Sequence, residues 1–211
     1  MSTFGSASSW DDFFPDHLVG AVLDLLTRCW DQFPKPSSTE LEVKITQRFR
    51  EALVRDKDAR LLPFSIWPES SETDPETGKE VGRIDLRFLH GYREKVYLAF
   101  ECKRLRILNK RAIRSNVGEY VGNEGMMRHV SGKYSQGMLD AGMIGYVMDG
   151  RVSAARSAIR KSIRSKASSL FVDEANPLSR SVHRLADSRV AQSQHALPTG
   201  ELTIHHVLLA I

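Results

Sequence analysis

The sequence is poor in the features that mark secreted, membrane-spanning or metal-structured chains. Only two of its 211 residues are cysteines, Cys29 and Cys102, and both fall in apolar settings. That excludes a disulfide framework and a cysteine-rich zinc site, and it fits a reducing cytoplasm, the expected location. No apolar run nears the ~20 residues needed to span a bilayer, so a membrane partner is not expected. Met1 to Ser9 is small and polar, with neither a basic region nor an apolar core. It reads as a disordered lead-in and not as a secretory signal. Internal repeats, zinc fingers and helicase motifs are absent, as are low-complexity tracts beyond the N-terminal serines. What remains is the composition of an ordinary globular protein, with a length suited to one domain or one domain with an appendage.

Charge is where the chain departs from the ordinary. The net charge of +4 hides an asymmetry. Residues 1–102 carry 13 Lys/Arg against 18 Asp/Glu, residues 103–171 carry 14 against 4, and residues 172–211 carry 3 against 4. The basic surplus therefore begins at Lys103. A polyanion such as nucleic acid would account for it; a solvated basic face is the competing explanation.

Apolar spacing predicts a helix from Pro15-Asp16 to about Gln32, with Leu18, Val22, Leu25, Leu26, Cys29 and Phe33 on its buried side. Pro34-Lys35-Pro36 ends it. Trp10, Phe13 and Phe14 just before it are read as an anchoring cluster. A second helix starts in Ser37-Ser38-Thr39 and runs to about Arg55, burying Leu41, Ile45, Phe49 and Leu53. Residues 61–67 read as a strand, 69–80 as an exposed loop, and Gly82 to Phe88 and Val96 to Lys103 as two further strands joined by a turn at 90–94. A basic connector, Arg104 to Arg114, leads to a glycine-interrupted helix over 118–138. A strand over 144–148 follows, parallel to its neighbour because a helical crossover precedes it. Arg151 to Ala167 is a basic amphipathic helix whose apolar face lacks Trp, Phe and Leu, which argues against membrane insertion. Residues 172–200 read as loop-rich, and Leu202 to Ile211 as a terminal strand. His205 and His206 inside that strand are expected to be structural.

Two strand ends carry the chemistry. In Phe100-Glu101-Cys102-Lys103, alternation puts Phe100 and Cys102 on one face and Glu101 and Lys103 side by side on the other. In Gly82-Arg83-Ile84-Asp85, the same alternation turns Asp85 away from the apolar side. Taken singly, these charges would be surface ion pairs: Glu101 with Lys103, and Asp85 with Arg83 or Arg87. Together on adjacent strands they form a cluster that costs stability unless it is paired or metallated.

Gly-Arg-Ile-Asp85 followed by Phe-Glu101-Cys-Lys103 resembles the signature of the PD-(D/E)XK nuclease superfamily, although Ile84 stands where the usual proline would be. The resemblance implies an α/β, restriction-endonuclease-like core over 37–150, built as helix, three-strand meander, helix and strand. Residues 1–36 would add a tail and packing helix, and 151–211 a basic helix plus strand of the same domain. It implies a Mg²⁺-dependent nuclease, with Mn²⁺ as a substitute, in which Asp85, Glu101 and the backbone carbonyl of Cys102 hold the metal. Hard oxygen donors and only one or two carboxylates suit Mg²⁺. Lys103 would orient the attacking water, lower its pKa, or offset phosphate charge; a depressed pKa would let it serve as a base.

By the same resemblance, Glu42 on the first core helix would reach the site. Thr39-x-x-Glu42 is also a capping box, so the two roles compete. Arg104 and Arg106 are expected to meet nucleic acid, and Arg128 and Lys133 to be phosphate contacts. Tyr134 and Gln136 belong to the same helix, with Tyr134 read as core. DNA is favoured over RNA. No DNA-reading module is visible, which leaves low sequence specificity, homodimerisation or a targeting partner protein. A restriction, phage-defence or mobile-element setting follows by fold-level analogy. The alternative is a catalytically silent nucleic-acid-binding or assembly subunit that keeps the fold.

Overall fold

The computed structural model describes residues 13–67, 70–73, 78, 80–91, 96–109, 112–135, 137–183 and 187–211. The polar lead-in and Trp10 lie outside them. Helix α1, Asp16–Gln32, buries Leu18, Val22, Leu25, Leu26 and Cys29, as their spacing predicts. Helix α2, Glu42–Arg55, buries Ile45, Phe49 and Leu53 but begins later than expected, after Leu41, with no side-chain cap. The Thr39–Glu42 capping box is not formed.

The remaining elements are β1 Phe64–Trp67, β2 Ser70–Thr73, β3 Glu80–Ile84, β4 Leu86–His90, β5 Tyr97–Leu105, β6 Ile107–Asn109 and β7 Ala112–Arg114. Then follow α3 Val117–Val121, α4 Met126–Val130, β8 Asp140–Val147, α5 Val152–Ser165, α6 Ala167–Leu170, β9 Ser179–Arg180, β10 Val190–Leu197 and β11 Gly200–Ala210. Seven strands form one mixed sheet in the order β1-β4-β5-β8-β11-β10-β9. The β5–β8 and β8–β11 pairs are parallel and the others antiparallel. Alternation along β5 splits the core in two. Leu98, Phe100 and Cys102 join Ile144 and Tyr146 of β8 under α1 and α2. Leu105 joins Met143 and Val147 under α3, α4 and α5. The result is a three-layer α/β arrangement. Trp30 ties α1 to the sheet, donating from Nε1 to the Ala210 carbonyl at 2.7 Å and stacking on Tyr146.

The meander β1-β4-β5 and the parallel β8 stand as expected; several other boundaries do not. The strand expected over 82–88 is two strands broken at Asp85, and the loop expected over 69–80 contains β2, which pairs with β3 as a separate ribbon. The bend has a packing cause. Ile84 buries beside Leu89, Tyr97, Ala99 and Tyr134, whereas Leu86 buries with the α1/α2 cluster. Two residues of the same parity serve opposite faces only if the chain turns between them.

The connector after β5 is a hairpin, β6–β7. The long helix expected over 118–138 is two five-residue helices. A Cβ on Gly125 would lie 2.1 Å from the Tyr120 carbonyl oxygen, so the glycine permits a tight reversal that a continuous helix would not make. At the C-terminus, 172–200 is not simply loop. β10 lies there, and β11 sits inside the sheet between β8 and β10. His205 and His206 are structural: His205 Nε2 donates to Asp140 at 2.8 Å, and His206 lies between Tyr120 and Ser193.

One glycine in the sheet is required by close approach. Gly142 pairs with Phe100, and a Cβ there would meet the Phe100 ring at 2.1 Å. Gly142→Ala is expected to lower stability by about 1–3 kcal/mol through overpacking. Phe100→Leu in the same chain should recover part of the loss, as read by urea denaturation of the single and double variants.

Candidate active site

Four separated segments deliver the site: the start of α2, the bend before β4, the second half of β5, and α4. Cys102 donates its backbone N–H to Asp85 Oδ2 at 2.7 Å, which fixes the bend carboxylate against β5. Glu42, in the first turn of α2, sends its carboxylate away from its own helix. Oε2 accepts the Arg104 N–H at 2.7 Å and Oε1 lies 3.3 Å from Lys103 Nζ. Lys103 Nζ also donates to Glu101 Oε1 at 2.7 Å and to the Cys102 carbonyl at 3.0 Å. Glu101 and Lys103 are buried, at 1% and 8% exposure, so theirs is not a surface ion pair. All four residues expected to carry the chemistry therefore converge, and the Glu42 carboxylate meets Lys103 and Arg104 instead of folding back on Thr39.

The basic residues fall out differently. Arg128 of α4 donates to both Glu101 oxygens at 3.1 and 3.2 Å and to the Tyr134 hydroxyl at 2.8 Å, and pairs with Glu124. It acts as a partner of the site carboxylate. Arg104 Nη1 donates to the Glu40 carbonyl, and Arg106 is paired with Asp149. Lys133 is exposed, and its chain crosses Gly82: a Cβ there would lie 2.9 Å from Lys133 Cε. Tyr134 is buried, as expected of core, with its hydroxyl donating to the Arg83 carbonyl at 2.5 Å. Gln136 lies outside the described residues.

Burial dominates the electrostatics. It raises the Asp85 carboxyl to about 6, with the charge of Glu42 adding, against the pull of the Cys102 N–H and Lys103. It raises Glu101 to about 7, with the Asp85 charge adding, against Lys103 and Arg128. Lys103 goes the other way from the expected depression. Burial lowers it, but Glu101, Glu42 and Asp85 together outweigh burial and hold it as an ammonium. Burial also pushes the Cys102 thiol well up, so its sulfur is no nucleophile.

The donors around Asp85 and Glu101 are carboxylate and carbonyl oxygens, the set that Mg²⁺ and Mn²⁺ select. Both carboxyls sit above their ordinary range first because burial strips them of water and then because a second carboxylate lies close to each. A divalent cation would supply opposing charge, and the residues fit one. Among the described residues, no three His, Cys, Asp or Glu side chains gather as ligands of one ion. Mg²⁺ keeps several waters and needs only one or two carboxylates.

Sequence reasoning missed Arg128 as the partner of Glu101, and it missed the exposed side of α2. Val43, Thr46, Gln47 and Arg50 recur there at helical spacing and face Asp85 across a small cleft. The spacing after Glu42 was the available signal.

No family model, curated protein or solved structure matches the chain. Among the described residues, no helix is long and apolar enough to cross a membrane.

Proposed function

We propose that the chain is a metal-dependent nuclease of the PD-(D/E)XK kind, hydrolysing phosphodiester bonds of nucleic acid with DNA favoured, on a restriction-endonuclease-like core. The observation that carries this reading is the meeting of Asp85, Glu101, Lys103 and Glu42 from three separate segments, in hydrogen-bonded contact and largely out of water.

Asp85, Glu101 and the Cys102 carbonyl are the residues that would hold Mg²⁺ or Mn²⁺. Such an ion supplies charge relief at the phosphate and a more acidic water. The protein's own groups do the rest. Lys103, kept protonated by its three carboxylate neighbours, donates hydrogen bonds to an incoming water or phosphate oxygen and does not accept a proton. Glu42 holds Lys103 and the start of the segment after it in place. Arg128 orients the Glu101 carboxylate.

Plasmid, linear duplex DNA, single-stranded DNA and RNA, each with Mg²⁺ or Mn²⁺, form the direct assay. Cleavage of at least one is expected, and its loss in Asp85→Asn. The metal should also raise the thermal midpoint of wild type, by an amount that grows with the logarithm of its concentration above Kd, and Asp85→Asn should remove most of that rise. Inertness of wild type on all four substrates, with binding intact, would leave the silent-subunit reading. That reading is favoured by one observation, the engagement of both Glu101 oxygens by Arg128.

A further inference from the structure

Nucleic acid bound at this site needs cations that are free to meet its phosphates. Three of the four basic residues expected from the sequence to meet nucleic acid are spent inside the protein. Arg104 serves the Glu40 carbonyl, Arg106 serves Asp149, and Arg128 serves Glu101 and Glu124.

The cleft on the other side of Asp85 is different. It has a volume of about 110 Å³ and is lined by Val43, Thr46, Gln47, Arg50 and Asp85. That is room enough for one phosphate group. Four of its lining residues come from one stripe of α2 and one from the bend that carries the site carboxylate. Thr46 is already satisfied by the Tyr146 hydroxyl at 3.1 Å, so it forms the floor. Gln47 is exposed, and its amide has only a marginal contact, 3.5 Å to Glu51. Arg50 is half-buried, and no hydrogen bond or ion pair holds its guanidinium among the described residues. Val43 stands 70% exposed at the rim, an apolar wall of the kind a sugar packs on.

We infer that this cleft is a phosphate subsite for the nucleic-acid strand, in which Arg50, assisted by Gln47, binds the backbone phosphate next to the one held at Asp85 and Glu101. The inference rests on the nuclease reading and adds to it the groups that position the strand. The planar guanidinium suits two phosphate oxygens at once, which an ammonium does not. It also places a positive charge beside Asp85, whose carboxylate would otherwise repel a phosphate in so small a space. Contacts of this kind fix the register of a strand and carry no sequence information.

The test is fluorescence-anisotropy binding of short DNA and RNA oligonucleotides, single-stranded and duplex, by wild type, Arg50→Gln and Arg50→Lys. EDTA is present so that nothing is cut, and the titration is repeated over a range of salt. Arg50→Gln is expected to weaken binding about ten- to a hundredfold and to reduce the salt slope by about one. Arg50→Lys should keep the slope and recover part of the affinity. The thermal midpoint should match wild type in both, because among the described residues nothing is held by the Arg50 guanidinium. Arg50→Gln binding within about twofold of wild type, with an unchanged slope, overturns the inference; if wild type still cleaves, the nuclease reading survives alone. Arg50-dependent binding by a wild type that cleaves nothing keeps the subsite and removes the enzyme. Failure of wild type to bind any oligonucleotide overturns the subsite, and cleavage with Mg²⁺ or Mn²⁺ then decides the nuclease reading separately.

Discussion

Lys103→Met is expected to lower cleavage by about 10²–10³-fold and to destabilise the fold by an amount that grows with pH. Among the described residues, Lys103 is the one cation that touches Glu101 and Glu42 together, and it also covers the Cys102 carbonyl. Removing one partner of a buried pair costs about 3–5 kcal/mol when the other must stay charged. Glu101 need not stay charged. Its carboxyl is already raised to about 7 by burial and by Asp85, and loss of Lys103 raises it further. A carboxyl whose folded pKa lies above its unfolded value favours folding while protonated and loses that contribution as pH rises through the folded pKa. The variant should therefore sit close to wild type near pH 6 and fall furthest behind it near pH 8. Urea denaturation at several pH values reads this directly. Glu101→Gln in the same chain should flatten the pH dependence, because the group that titrates is gone, and the cycle of single and double variants isolates the coupling. A loss of stability that is the same at pH 6 and pH 8 would contradict the account.

How far the sequence carried depends on which force placed each residue. Short-range apolar periodicity placed α1, α2 and α5 within a few residues, because their stripes are unbroken and each packs on one side only. The site motif was legible for a related reason: Glu101 and Lys103 alternate with Phe100 and Cys102, so burying one pair commits the other to the opposite face. The misses lie where long-range packing overrode local pattern. Ile84 and Leu86 share parity, yet they bury in different clusters on either side of the bend at Asp85. That division became visible only once Tyr134 and the α1 layer were in place. β10 was hidden because Gln192, Ser193 and His195 read as polar loop. In the fold they are buried, each hydrogen-bonded. Charge alone marked the region after Lys103 as basic but did not show that two of its cations, Arg106 and Arg128, hold carboxylates of the protein itself.

The buried histidines make the fold acid-sensitive, and the Asp85 and Glu101 carboxyls mask that sensitivity. Their hydrogen bonds run in one direction. His195 Nδ1 faces the Leu170 carbonyl at 2.7 Å and must donate, so its Nε2 accepts from the Ser193 hydroxyl at 2.8 Å. Ser193 Oγ then accepts from His206 Nε2 at 3.0 Å, and His206 Nδ1 accepts from the Tyr120 hydroxyl at 3.0 Å. Every acceptor nitrogen is used, so a proton added to either ring sets donor against donor. Burial lowers His195 to about 4, His129 to about 3 and His206 well below its ordinary value. Their contribution to stability is complete above the unfolded pKa of about 6.5 and is lost as pH falls toward the folded values. Three such groups give a slope of about 4 kcal/mol per pH unit near pH 5. Asp85 and Glu101 oppose it. Raised to about 6 and about 7, they bind two protons at pH 5 that their unfolded counterparts mostly do not. The net slope of wild type is then about one proton, or about 1.4 kcal/mol per pH unit. The Asp85→Asn/Glu101→Gln double variant removes the opposition. It is expected to lose stability roughly three times as steeply as wild type between pH 6 and 4.5. With a domain stability of about 5–15 kcal/mol, a slope of that size unfolds the variant within a few pH units of neutrality. Equal slopes for the two proteins would mean that the carboxyls and histidines do not titrate against each other in this way.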